Sequence, residues 1–204
     1  MMTWSILLDL GDLDVTVPAA AALATWLTIT RAWRAALWWS GLFALGIGLV
    51  GATKIAFLGW GTGLPSLDFK AVSGHATGVT AVLPTAFYAM WQARGHIARA
   101  AGVTAGLALG LAMVMLLVQL QKHTMAEALA GWTMGALVSL GAIRMAGDTP
   151  PSETVPGLLY CNLLCCFLVF MLAAWMMQSA SVGYWMIRVA LLLSGNRSPR
   201  AWDA

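Results

Sequence analysis

Charge is what this chain of 204 residues has least of: eight Asp or Glu and eleven Lys or Arg make 9% of the sequence, against roughly 25% in soluble domains. That scarcity excludes a water-soluble single domain, a disordered tail protein, a nucleic-acid binder with a basic face and a charge-networked cytosolic enzyme. Cysteine is scarce too. Cys161, Cys165 and Cys166 share one apolar stretch, form neither an even set nor a zinc spacing, and read as small packing residues. The amino-terminal segment lacks a basic region and a small-residue cleavage site and carries Asp9, Asp12 and Asp14 instead, so it reads as retained. No internal repeat or low-complexity tract breaks the chain.

What is present is apolar: 60% of residues are hydrophobic and the mean hydropathy is +0.80. At about 20 residues per crossing of a ~30 Å hydrocarbon core, the length suits an all-α, polytopic membrane bundle of about six helices in a single integral domain spanning residues 1–204. The apolar runs predict spans near 15–30, 35–58, 74–93, 100–120, 124–143 and 157–178, helical because backbone groups in hydrocarbon must be satisfied within each segment. Pro18 opens the first span at no cost, and Pro84 marks a bend or tight packing in the third. Gly102, Gly106 and Gly110 put a small-xxx-small stripe on the fourth, a surface for close helix contact. Tyr184 to Leu193 is too short to span and holds Arg188; residues 184–204 read as an interfacial helix and tail. Trp33, Trp38, Trp39, Trp60 and Trp91 read as interfacial belts.

Basic residues set the orientation, since cytoplasmic loops retain Lys and Arg. Arg31, Arg34, Arg94, Arg99 and Arg144 fall at alternate loops, which places the amino terminus, the 59–72 loop and the turn near residue 122 outside. Lys54, Lys70, Lys122, His75, His123 and Glu127 then all gather at the outer end. Ionisable groups near a bilayer, expensive by about 3 kcal/mol at its centre, signal function by default.

His123 and Glu127 stand four apart, so a carboxylate can hold one imidazole nitrogen and leave the other as a nucleophile or base. Ser73-Gly74-His75 opens the third helix, where free N–H groups and the positive dipole end favour an anion. Ser73 either donates its hydroxyl or caps the helix. Gly74 lets an oxyanion approach the backbone, and His75 can protonate a leaving oxygen. Lys54 adds fixed positive charge or snorkels to the interface. Together they predict a phosphate site.

These residues resemble the type 2 phosphatidic acid phosphatase superfamily of membrane lipid phosphatases. Lys54 is similar to the lysine of its first motif; Val72-Ser73-Gly74-His75 is similar to its Pro-Ser-Gly-His; His123, Glu127 and Leu129-Ala130-Gly131 are similar to the end of its third. The resemblance runs from about 54 to 135. It departs at Gly61 and Leu117, where the family has phosphate-clamping arginines, and at Glu127, where it has aspartate. Lys70 and Lys122 stand near enough in sequence to substitute. The resemblance implies a bacterial inner-membrane, multi-pass hydrolase of a phosphoric ester or diphosphate, its site facing outward. No metal or cofactor and no nucleic acid enter. The partners are the lipid bilayer and an amphiphilic phosphorylated substrate. His123 attacks phosphorus to give a phosphohistidine, His75 protonates the leaving group, Glu127 orients His123, and Lys54, Lys70, Lys122, Ser73 and Gly74 bind phosphate. Two alternatives stand beside it: a degenerate lipid-phosphate binding or transport protein, and a b-type cytochrome with His75 and His123 on haem.

Overall fold

The structure, a computed structural model, describes residues 8–147 and 156–200. The polar connection expected from Gly147 to Pro156 and the last four residues of the tail lie almost wholly outside that range. Among the described residues seven α-helices follow one another: α1 (Leu13–Ile29), α2 (Trp33–Trp60), α3 (Gly74–Met90), α4 (Gly95–Gln119), α5 (Met125–Ala146), α6 (Pro156–Ala180) and α7 (Val182–Ser194). No strand occurs among the described residues, only an isolated bridge between Leu64 and Phe69, so the all-α expectation holds.

The number of crossings is coarser than expected. Among the described residues four segments, Trp33–Trp60, Gln92–Gln119, Met125–Ala146 and Leu159–Ala180, are long and apolar enough to cross a membrane. The two other expected spans, α1 and α3, have 17 residues each, or about 25 Å at 1.5 Å per residue, short of the ~30 Å core. α3 is also the most enclosed helix, with ten buried residues from Gly74 to Thr85.

Glycine explains that enclosure. On α4, a Cβ at Gly106 would stand 2.5 Å from the Pro84 nitrogen, and one at Gly110 would collide with Thr80. From the opposite side, Cβ atoms at Gly131 and Gly135 of α5 would stand 2.5 Å from the Ser73 carbonyl oxygen and 2.6 Å from that of Thr77. Two smooth faces therefore close on α3 at backbone distance, as the stripe on α4 predicts. Thr77 ties the seam by donating to the carbonyls of Ser73 at 2.8 Å and Gly131 at 3.1 Å.

Two apolar clusters flank this seam. One joins α1, α2, α3 and α5 around Leu23, Trp39, Phe43 and Val138; the other joins Leu8, Ala76, Val114, Leu117 and Ala128 beneath the site. Trp39 belongs to the first, not to an interfacial belt: it is 1% exposed and donates its Nε1–H to the Ala20 carbonyl at 3.1 Å, the partner that a buried indole requires. Trp33, Trp38 and Trp60 are exposed as expected. Cys161 and Cys165 are exposed on α6, so neither packs inside; α6 rests against α1 and turns a long apolar surface outward. α7 lies against α2, with the Ala190 carbonyl and Ser194 nearest Gly59.

Candidate functional site

Three chain reversals meet at one end of the bundle. α2 ends at Gly61, whose φ of 69° suits glycine as a helix terminator. The loop that follows is pinned by reciprocal backbone hydrogen bonds between Leu64 and Phe69, at 2.9 and 3.2 Å, and Val72 donates its N–H to Thr53 Oγ1 at 3.2 Å. The loop thereby aims two backbone donors at one carboxylate. Glu127 Oε1 accepts the N–H of Lys70 at 2.9 Å and of Ala71 at 3.5 Å.

Glu127 is 3% exposed, and its other oxygen completes the arrangement. Oε2 lies 2.8 Å from His123 Nδ1 and accepts the Thr124 N–H at 3.4 Å, while Thr124 Oγ1 accepts the Glu127 N–H at 3.3 Å. That is a capping box. The apolar runs put His123 near the start of the fifth helix; the helix begins at Met125, and His123 occupies the turn before its cap. The four-residue spacing still delivers the contact, through the cap. A carboxylate taking backbone donors is an acceptor, so Nδ1 of His123 carries the proton and Nε2 of the neutral ring is the bare nitrogen.

Across from it, Ser73 caps α3 by accepting the Ala76 N–H at 3.5 Å and is fully buried. Its backbone N–H donates to the Glu127 carbonyl at 3.2 Å. Of the two roles open to Ser73, the structure shows the cap. Among the described residues no acceptor takes the N–H of Gly74 or His75, leaving two first-turn donors open. The rings of His75 and His123 stand 6.1 Å apart, centroid to centroid, at 64°.

A cavity of about 370 Å³ opens on His75. Asp12, Lys54, Gly74 and His75 line one side; Met177, Gln178, Ser181, Gly183 and Tyr184, from the end of α6 and the start of α7, line the other. A Cβ on Gly74 would stand 3.9 Å from Lys54 Nζ, so the ammonium group sits at the open helix end. His123 is not on the cavity wall, and its side chain is 9% exposed.

The expected phosphate ligands therefore divide. Lys54 and Gly74 reach the cavity. Lys70 lines a separate pocket with Thr53, Phe69 and Leu64 and serves this site through its backbone N–H. Lys122 is exposed and absent from the cavity wall. Gly61 is a helix terminator beside the Arg200 side chain, and Leu117 is wholly buried in the apolar cluster. One residue of the site shows no sign of this role in the sequence. Asp12, one of the three aspartates of the amino-terminal segment, places Oδ1 2.6 Å from His75 Nε2.

Comparison with known proteins gives one informative relationship. The chain is 33% identical over 156 residues to a 22.5 kDa protein in the cps region of Klebsiella pneumoniae, itself uncharacterized, an alignment covering 76% of this chain and 74% of that protein. The two belong to one family. No family model matches the chain, and no solved structure matches it. Membership in this cps-region family names no reaction, so the chemistry rests on the residues.

Proposed function

We propose that the chain is a membrane-embedded phosphatase that releases phosphate from a lipid phosphate or diphosphate through a phosphohistidine, without a metal. The observation that carries this reading is the convergence of His123, held by Glu127, with His75 and Lys54 at one end of the bundle. Nε2 of His123 attacks phosphorus as the bond from phosphorus to the leaving oxygen breaks; protonated His75 gives its proton to that oxygen. Water then attacks the phosphohistidine, His75 takes back a proton, and the phosphorus–nitrogen bond breaks. Lys54 and the N–H groups of Gly74 and His75 neutralise charge on the other oxygens, strongest where water is excluded. Six crossings by α1 to α6, with the site outward in an inner membrane, complete the proposal and open its flank to an amphiphilic substrate.

Purified protein in detergent with a chelator should release inorganic phosphate from a panel of lipid phosphates and diphosphates, and His123→Ala should abolish that release. Wild-type-like turnover by the variant would exclude the mechanism. A second reading, binding of a lipid phosphate without turnover, draws on the absence of arginine from the described cavity wall, since guanidinium forks grip phosphate bidentately and lysine does not. Saturable binding of a lipid phosphate without phosphate release would favour it. Haem ligation is less well supported: Nε2 of His75 already faces Asp12.

A further inference from the structure

Asp12 stands at the N-cap of α1, the position where an aspartate ordinarily accepts an N–H from its own first turn. It makes no such side-chain bond. Its backbone carbonyl does the local work, taking the N–H groups of Val15 and Thr16 at 3.0 and 2.8 Å and the Thr16 hydroxyl at 3.0 Å, while its carboxylate turns to His75. The preceding residues are shaped to bring it there. Leu8 is buried in the cluster with Ala76 and Leu117, and the Gly11 backbone lies so close to His75 that a Cβ there would stand 3.0 Å from His75 Cβ. Gly11 N–H donates to the Leu8 carbonyl at 2.7 Å and Asp12 N–H to that of Asp9 at 3.2 Å, closing the turn.

We infer that Asp12 is a positioning residue for His75: it fixes the ring by its Nε2–H and stabilises the imidazolium, so that Nδ1–H is the proton delivered to the leaving oxygen. The inference rests on the phosphatase reading and deepens it. The carboxylate accepts only, so Nε2 keeps its hydrogen in both states of the ring. Nδ1 makes no hydrogen bond among the described residues, and on this inference it serves the leaving oxygen. When the leaving oxygen takes the Nδ1 proton, His75 becomes neutral, still held by Asp12; when water attacks the phosphohistidine, Nδ1 recovers a proton from it. The site thus holds two imidazoles of opposite sense. His123 is held at Nδ1 and works through Nε2; His75 is held at Nε2 and works through Nδ1. Lys54 of α2 and His123 of the α4–α5 turn are the other charged or titratable groups acting on His75. The carboxylate set against His75 comes from the segment before α1.

The test compares leaving groups. Full-length wild type and Asp12→Asn are assayed in micelles on dioctanoyl phosphatidic acid, whose alkoxide must be protonated to leave, and on p-nitrophenyl phosphate, whose phenolate leaves without it. A positioned general acid contributes on the order of 10²–10⁴-fold, so Asp12→Asn should lower kcat on the alkyl ester about tenfold more than on the aryl ester, and Asp12→Glu should recover part of the difference. Equal losses on both esters overturn the inference. Wild type that hydrolyses neither ester overturns the phosphatase reading instead. The contact is then decided by proton NMR of the 15N-histidine-labelled protein. A downfield Nε2–H signal absent from His75→Gln should also vanish in Asp12→Asn, and its persistence there overturns the role of Asp12.

Discussion

Glu127 collects more hydrogen bonds than any other side chain at this end of the bundle: two N–H groups from the 61–72 loop, one from its own cap, and the His123 ring. A glutamine keeps its shape but loses the charge that stabilises a developing imidazolium. Glu127→Gln should therefore reduce phosphate release about a hundredfold, measured as kcat in micelles alongside circular dichroism to confirm the helices. Ser73 is a different case. Because its hydroxyl caps α3, Ser73→Ala should cost about 1 kcal/mol of stability, read as a lower midpoint of thermal unfolding in detergent. The His123–Glu127 pair is legible in the sequence because its geometry is local, a fixed spacing of four. The Asp12–His75 contact is not: its partners lie on different segments, and nothing near Asp12 in the chain distinguishes it from Asp9 or Asp14. The capping box is present in the letters Thr124 and Glu127 but is hidden when Glu127 is taken as a group inside a span.

Among the helices, α3 depends on what its neighbours lack. A methyl at Gly106 meets the Pro84 backbone, which cannot yield as a flexible side chain would. Gly106→Ala should then destabilise the protein by about 1–3 kcal/mol, the usual cost of overpacking. Gly48 on α2, where an added methyl would have nothing within 4 Å, should gain about 0.5–1 kcal/mol as alanine, since glycine weakens a helix interior by that amount. Thermal unfolding of the two variants beside wild type checks both signs. The stripe on α4 is visible as a period of four over three glycines; its complement on α5, Gly131 and Gly135, is only one such step and carries a weaker signal. Trp39 is misplaced by the sequence for a related reason. Composition puts tryptophan at an interface, but only tertiary contact shows that the Ala20 carbonyl awaits its N–H.

Taken whole, the chain alternates direction from α1 to α6, so helix ends near Thr62 and near His96 belong to opposite ends of the bundle. If all six helices cross, a cysteine at Thr62, in a background with Cys161, Cys165 and Cys166 replaced by alanine, should react with a membrane-impermeant maleimide in intact cells. A cysteine at His96 should react only after lysis. Labelling of both in intact cells would show that the short helix between them, α3, fails to cross. The apolar runs locate the helices to within a few residues. They cannot separate a helix that spans from one that is merely enclosed, because protein and lipid interiors both select apolar side chains.

The meeting of α3 with α4 and α5 at main-chain distance has a further consequence. Where two helices touch through glycine, no side chain remains whose exchange could ease them apart, so the reach between the His75 and His123 rings is set by the polypeptide itself. The opposite wall, from Met177 through Tyr184, is of another kind; it consists mainly of side chains where α6, resting on α1, gives way to α7, resting on α2. Drift in the size or shape of the molecule accommodated must therefore be concentrated there, with the chemistry held to a fixed gauge.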